Sequence, residues 1–132
     1  MTKKAQQPAT LKPKPPAPPR EISITNRILV WLNSQPHTLA RKLHGTGYGH
    51  AGDPDIYGSF CGLMFQIEVK RPGGTSNVTQ RQTAAMEAWS RTGAMVMIAY
   101  SLKEVQTMLR NVMAEPWFTA YLAARWPQQQ GG

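Results

Sequence analysis

Residues 55–70 read DIYGSFCGLMFQIEVK, and this stretch predicts two strands joined by a short turn. In the second strand, Leu63–Lys70, apolar and polar side chains alternate, so each set points to its own face of a sheet. The apolar set, which is suited to a core, is Phe65, Ile67 and Val69. The polar set on the opposite face is Gln66, Glu68 and Lys70. The stretch therefore predicts a hairpin with one apolar face and one chemically active face.

Glu68 and Lys70 lie about 7 Å apart along that active face. Asp55 precedes the first strand, and its carboxylate reaches the same patch if the two strands pair. Mg²⁺ needs only one or two carboxylates, because it keeps several water molecules. With the backbone carbonyl of Val69, this pair would hold the ion that phosphodiester hydrolysis requires, while Lys70 would hold the attacking water or the scissile phosphate. The hairpin therefore predicts a nuclease centre, with an ordinary surface Glu–Lys pair as the alternative.

The charge of the chain points to the same chemistry. Among 132 residues, 15 Lys and Arg against 7 Asp and Glu give a net charge of +8 and a pI near 10.1. This balance indicates a polyanionic partner, nucleic acid before membrane, since no basic amphipathic helix with an aromatic face is present. Three of the seven acidic residues lie between residues 53 and 68. We expect a basic protein that clusters its few acids to use them on a cation.

Other classes of site are disfavoured by the sequence. Cys61 is the single cysteine, so neither a disulfide framework nor a cysteine-rich zinc site is expected. The glycines at 47, 49 and 52 match a dinucleotide fingerprint only formally, because Pro54 prevents a following helix. No Gly-Lys-Ser/Thr phosphate loop is present, so we expect no nucleotide cofactor. Without a long apolar run or a signal-peptide pattern, we expect no membrane association and a cytoplasmic location.

The chain divides into a tail, one domain and a short end. Residues 1–20 contain six prolines, five basic residues and no acid, which predicts a disordered or polyproline-II tail carrying +5 of the charge. A DNA-tethering arm is its functional interpretation and a solvated linker the alternative. Residues 21–126 form the predicted domain, and the Gln- and Gly-rich residues 127–132 form a flexible end.

Within the domain, periodicity and capping signals predict an α/β element order. A helix from Glu21 is followed by a short strand or an irregular segment over 38–43, and then by the hairpin. Thr79 and Gln82 predict a capping box that opens the second helix, which Gly93 closes. Residues 94–100 are continuously apolar and predict a buried strand. A helix from Ser101 and a final helix from Pro116 complete the order.

The ordered motifs resemble the VRR-NUC branch of the PD-(D/E)xK nuclease superfamily over about residues 20–105. The matching elements are Glu21, Gly52-Asp53-Pro54-Asp55, Glu68-Val69-Lys70, Thr79-Gln80-Arg81-Gln82 and Gly93. The resemblance implies a restriction-endonuclease-like αβββαβ core with a mixed sheet, and DNA cleavage that depends on Mg²⁺ or Mn²⁺. The stretch Glu68-Val69-Lys70-Arg71 departs from the Val-Arg-Arg after which the family is named, but it keeps the lysine.

The resemblance also implies a role for each matched position. Asp55 and Glu68 are implied metal ligands, and Lys70 is the implied catalytic lysine. Glu21 would complete the metal site directly or through water, with a favourable helix N-terminal charge as the alternative role. Gln82 would orient a ligand or water, besides capping its helix. Phosphate contacts are expected from flanking basic residues, namely Arg41, Lys42, His44 and Arg71.

The compact form resembles stand-alone phage and bacterial members, which are similar to Holliday-junction resolvases and act as dimers. It implies a homodimer acting on branched DNA in a bacterial cell or in the cytoplasm of a phage-infected host. The aromatic residues of the final helix, Trp117, Phe118, Tyr121 and Trp126, would form a lid on the core or a dimer surface. Flap or end processing, a non-catalytic basic DNA-binding module and an RNA-binding protein remain the alternatives at this point.

Overall fold

The computed structural model describes residues 20–43, 52–73 and 78–126. It contains eight elements in the predicted order. These are α1 (Glu21–Asn33), β1 (Thr38–Lys42), β2 (Ile56–Phe60), β3 (Leu63–Val69), α2 (Gln80–Arg91), β4 (Met95–Ala99), α3 (Leu102–Met113) and α4 (Pro116–Arg125). The predicted α/β class and element order are therefore confirmed. The predicted tail, apart from Arg20, and the predicted C-terminal end lie outside the described residues.

The four strands form one mixed sheet in the order β1-β2-β3-β4. The first three strands are antiparallel, whereas β4 is parallel to β3 because α2 carries the chain back across the sheet. Strands β2 and β3 are joined by Cys61 and Gly62, whose φ angles are +52° and +85°. Positive φ at both central residues is the requirement of a type I′ turn, one of the two common two-residue hairpin turns. This turn fixes the register that aligns the two halves of the candidate site.

One face of the sheet carries the hydrophobic core. Helices α1, α3 and α4 supply buried side chains to it, and the alternating residues of the central strands meet them. The buried apolar residues are Ile24, Ile28, Leu32, Ala40, Ile56, Phe60, Cys61, Phe65, Ile67, Val69, Ala99, Val105, Leu109 and Phe118. Helix α2 has no buried residue and lies alone on the other face, against β4. The active face is thus covered only partly, which leaves room for a ligand.

The strand predicted over residues 94–100 is less buried than its apolar sequence suggested. Only Ala99 is fully buried in β4, because β4 is an edge strand and α2 covers its outer face incompletely. Its two methionines, Met95 and Met97, pack against the core from the edge. The prediction of a strand is confirmed, and the prediction that it is buried is wrong.

The aromatic residues of α4 divide between core and surface. Phe118 is buried and stacks on Phe60, and the Tyr121 hydroxyl donates a hydrogen bond to the carbonyl of Cys61 over 2.6 Å. Trp117 is half exposed. The helix therefore closes one end of the core, while Trp117 remains on the surface. Among the described helices, none is long and apolar enough to cross a membrane.

Candidate active site

The β2–β3 register brings the two predicted carboxylates together. Ile56 pairs with Ile67, and extending this register by one residue places Asp55 opposite Glu68. Asp55 Oδ2 accepts a hydrogen bond of 2.7 Å from the backbone N–H of Val69. The Asp55 side chain therefore bonds to the β3 backbone just before the regular pairing of β2 with β3 begins at Ile56. The carboxyl groups lie on the face opposite the core, as the alternation predicted.

Glu68 is an ionisable group held in a buried position, with only 6% of its surface exposed. Its pKa is raised to about 8. Burial is the main cause, followed by the charge of Asp55 and a hydrogen bond with it; Lys70 lowers the pKa and Glu21 raises it further. A carboxyl pair of this kind retains a proton unless a cation shares it. The electrostatics therefore favour a bound cation.

Lys70 follows β3 directly and is as buried as the carboxylate beside it, at 7% exposed. Its backbone N–H donates to the carbonyl of Ala99, which extends the parallel pairing with β4 and fixes the position of the residue. Its ammonium nitrogen lies 3.9 Å from Glu68 Oε1. That distance is beyond a direct hydrogen bond, so the ammonium has donors left for a water molecule or a phosphate oxygen.

Gln82 joins the site from α2. Its Nε2 donates a hydrogen bond of 2.9 Å to Glu68 Oε1, while its Oε1 accepts one of 2.9 Å from the backbone N–H of Thr79. The Thr79 hydroxyl accepts in return from the backbone N–H of Gln82, so the predicted capping box is present. The cap uses the carbonyl end of the amide and leaves the amino end for Glu68. Capping and the site contact therefore coexist in one side chain.

Gly52 holds the loop before Asp55 against α2. Its φ is +89°, and a Cβ at this position would lie 2.4 Å from the backbone carbonyl oxygen of Arg81. A side chain is excluded both by this backbone conformation and by the close approach. The glycine therefore lets the strand side and the helix side of the site meet. Sequence reasoning used Gly52 as part of a motif but did not predict this contact.

Glu21, the first residue of α1, is near enough for its charge to raise the pKa of Glu68. In the described part of the chain, however, no three His, Cys, Asp or Glu side chains are arranged to hold a metal ion. Asp55 and Glu68, with a backbone carbonyl and water, still meet the needs of Mg²⁺. A contribution of Glu21 through water stays a prediction.

The basic residues predicted to contact phosphate take different positions. Arg41 is exposed and pairs across the sheet with Tyr57, which places it on the active face. Lys42 pairs with Ile56, a core residue, and so projects from the opposite face. Arg71 is exposed directly after Lys70. His44 lies outside the described residues. The strand register thus places one of the four predicted residues, Arg41, on the active face.

Sequence reasoning missed a neighbouring part of the active face. Tyr57, Gln66 and Trp89 lie around a cavity that adjoins the carboxylate pair. The available signal was the spacing of Gln82 and Trp89, which are seven residues apart and so lie on one side of α2.

Comparison with solved structures identifies the fold. One described as "VRR_NUC domain" superposes with a TM-score of 0.56 at 23% identity, covering 68% of this chain and 94% of that chain. Another, described as "VRR_NUC domain protein", gives a TM-score of 0.59 at 16% identity, covering 74% and 90%. No protein-family model matches the chain, and no curated protein sequence is significantly similar to it. The chain therefore has the fold of a VRR-NUC domain, as its motifs predicted.

Proposed function

We propose that the protein is a Mg²⁺-dependent endodeoxyribonuclease that hydrolyses phosphodiester bonds, with Mn²⁺ able to substitute. The observation that carries this proposal is the carboxylate pair Asp55–Glu68, partly exposed at Asp55 and buried at Glu68, with the buried Lys70 beside it. The VRR-NUC fold supports it, and so does the meeting of Asp55, Glu68, Lys70 and Gln82 at one site. The charge of +8 supports a polyanionic substrate.

The chemistry divides among these residues. Asp55 and Glu68, with the Val69 carbonyl, would hold the metal ion, which supplies charge neutralisation and a more acidic water when bound. Lys70 holds the attacking water or a scissile phosphate oxygen and stabilises the charge that develops there. Gln82 fixes the orientation of the Glu68 carboxylate through its 2.9 Å hydrogen bond. The water oxygen forms a new bond to phosphorus and gives up a proton to solvent, while the bond to the leaving oxygen breaks and that oxygen takes up a proton from solvent.

A non-catalytic DNA-binding module explains the site less well. Glu68 and Lys70 are both under 10% exposed, and taking charged groups out of water is costly. A surface that only attracts phosphate would gain nothing from two adjacent carboxylates, one of them buried, since they repel it. Burial of the Glu68 carboxylate and the Lys70 ammonium is expected where these two groups take part in a reaction.

The substrate is proposed to be branched DNA of the four-way-junction type, cut by a homodimer. Each chain has one carboxylate–lysine centre in its described part, and a symmetric cut in two strands needs two such centres. A two-fold dimer is the simplest arrangement that provides them. Flap or end processing at the same centre is the second candidate, because the carboxylates and the lysine would act in the same way on a phosphodiester outside a four-way junction.

The test is cleavage of labelled four-way junction, flap, duplex and single-stranded DNA with Mg²⁺, with Mn²⁺ and with EDTA. Asp55→Asn removes the charge but keeps an oxygen that accepts from the Val69 N–H, so the fold is retained. Glu87→Gln, at an exposed carboxylate on α2, is the matched control. We expect metal-dependent cleavage that Asp55→Asn abolishes and Glu87→Gln leaves intact. Tight binding without cleavage in any metal would contradict the proposal, and cutting of flaps or ends alone would contradict the junction preference.

A further inference from the structure

Beside the carboxylate pair, on the same face of the sheet, is a cavity of about 170 Å³. Its position follows from the strand register. Tyr57 pairs with Gln66, and this is the next cross-strand pair on that face after Asp55 and Glu68. Two residues along a strand correspond to about 7 Å. The cavity therefore begins within one nucleotide's reach of the proposed cleavage centre.

Helix α2 forms the opposite wall. Gln82 contacts Glu68 at the start of the helix, and Trp89, two turns further on, borders the cavity. Trp89 and Tyr57 are partly exposed, at 38% and 40%, so their rings are accessible from solvent. The cavity, called the slot below, is therefore bordered by an indole and a phenol ring. Its other lining residues are Leu43, Asp53, Pro54, Met64 and Gln66.

Gln66 gives the slot a polar floor. It is only 3% exposed and lines the cavity, and among the described residues no fully buried side-chain nitrogen or oxygen lacks a hydrogen-bond partner. The Gln66 amide makes no hydrogen bond to another side chain or backbone group of the described residues, so its polar atoms are open to the cavity rather than enclosed in the protein. The amide offers two donors and one acceptor oxygen toward the cavity. An occupant with hydrogen-bonding groups on its edge would satisfy it.

The size of the slot suits one planar ring system. A cavity of about 150 Å³ is known to take benzene, and this cavity is slightly larger and open on one side. Aromatic walls favour a flat aromatic occupant, and the Gln66 amide favours one with polar edge atoms. Both properties belong to a nucleobase, and base–aromatic stacking is a common element of single-strand recognition.

We propose that this slot, defined by Tyr57, Gln66 and Trp89, binds the base of a nucleotide adjacent to the scissile phosphate, turned out of its stack. The inference rests on the proposed nuclease function and extends it to the substrate. A base held in the slot is unpaired, so the enzyme cuts where the strand is single or its pairing is broken. Stacking accepts any base, while the Gln66 amide adds a preference among base edges.

A binding experiment tests the slot without requiring cleavage. The full chain, labelled with ¹⁵N, is titrated with deoxynucleoside 5′-monophosphates and Mg²⁺, and the indole N–H signals are followed by NMR. Trp89→Phe identifies the Trp89 signal, and Trp117, half exposed on α4, serves as an internal control. We expect nucleotides to shift the Trp89 signal but not the Trp117 signal. Deoxyribose 5-phosphate, which lacks the base, should leave the Trp89 signal in place. Equal shifts with and without the base would overturn the proposal.

A kinetic experiment tests the same slot during cleavage. The base on each side of the cut is replaced in turn by an abasic site, and kcat/KM is measured for wild type and Trp89→Ala. We expect one abasic position to lower the wild-type value by about 5- to 150-fold, the range of one base–aromatic stack. Trp89→Ala should show a similar loss on normal DNA and little further loss on the abasic substrate. If the losses of kcat/KM from Trp89→Ala and from the abasic site multiplied instead, the two changes would act independently and the proposed slot would be wrong.

The two experiments separate the slot from the nuclease. A base-dependent shift of the Trp89 signal without cleavage of any DNA would support the slot and contradict the nuclease. Cleavage that requires Lys70 but is not slowed by an abasic site at any position would support the nuclease and contradict the slot. Trp117 provides the control in both experiments, through its own signal in the titration and through Trp117→Ala in the kinetics, since its ring contacts Phe118 and Tyr121 on α4 rather than the cavity.

Discussion

Gln82 and Glu68 are joined by a 2.9 Å hydrogen bond from the amide nitrogen of Gln82 to Glu68 Oε1. The other end of the same amide is fixed by the backbone N–H of Thr79. The cap thus determines which atom of the amide faces the carboxylate. The signal that starts α2 in the sequence also orients a residue of the candidate site.

Replacement of Gln82 by alanine should affect cleavage more than stability. Removing the amide leaves Glu68 without its orienting donor, and changes of this kind beside metal ligands cost about 10- to 100-fold in activity. Loss of half a capping box costs only about 1 kcal/mol of stability. The measurements are kcat/KM for DNA cleavage and the free energy of unfolding by denaturant.

Thr79→Ala is the matched control for Gln82→Ala. It removes the cap hydroxyl but keeps the Gln82 side chain, so we expect a stability loss of about 1 kcal/mol with kcat/KM changed by only a few-fold. If both variants reduced cleavage equally, Gln82 would act only by capping α2. The site role assigned to Gln82 would then be wrong.

Gly52→Ala should destabilise the protein and disrupt the site together. The methyl group would meet the Arg81 carbonyl at 2.4 Å, and the φ of +89° is unfavourable for alanine. Gly73→Ala is the control, because its φ is also positive, at +71°, but no atom lies within 4 Å of its added Cβ. We expect Gly52→Ala to lose about 1–2 kcal/mol more stability than Gly73→Ala, and most of the cleavage activity. Equal effects in thermal unfolding and cleavage would mean that the loop does not pack on α2.

The raised pKa of Glu68 predicts how the stability of the metal-free protein depends on pH. The pKa of this carboxyl is 4.5 ordinarily and about 8 in the fold, so the folded state binds an extra proton between these values. The free energy of unfolding should therefore fall as pH rises from about 5 to beyond 8. Glu68→Gln should flatten this decline.

The measurement for Glu68 is the thermal midpoint between pH 5 and 9 in EDTA. Glu87→Gln, at an exposed carboxylate, provides the control for a loss of negative charge. A decline that is as steep in Glu68→Gln as in wild type would show that Glu68 is not the group responsible. Since burial is the main cause of the shift, such a result would also contradict its buried position in solution.

The fold was predictable largely because its local signals agree with one another. The two-residue turn at Cys61 and the capping box at Thr79 each act within a few residues of sequence. The alternation over β3 then sets which side chains face the core. Burial of β4 was mispredicted because a run of apolar residues does not reveal whether a strand is central or at an edge. That depends on sheet order, which is a property of the whole chain.

The candidate site was predictable in composition but not in its contacts. The positions of Asp55, Glu68 and Lys70 follow from strand register, which a hairpin pattern indicates. The approach of Gly52 to Arg81 depends on how α2 crosses the sheet, and no local signal describes that crossing. The slot around Gln66 was missed for the same reason, since Trp89 reaches it from α2.

The most direct test of the central claim is the cleavage rate of Lys70→Met with saturating Mg²⁺. Methionine keeps an apolar stem in a position that is 7% exposed, and removes only the ammonium group. Lys103→Met, at an exposed position on α3, is the control. We predict that Lys70→Met lowers kcat by about 10²- to 10³-fold, as loss of one charge-stabilising donor does, while DNA binding and Lys103→Met activity stay near wild type. An unchanged kcat in Lys70→Met would contradict the assignment of this face as a nuclease centre.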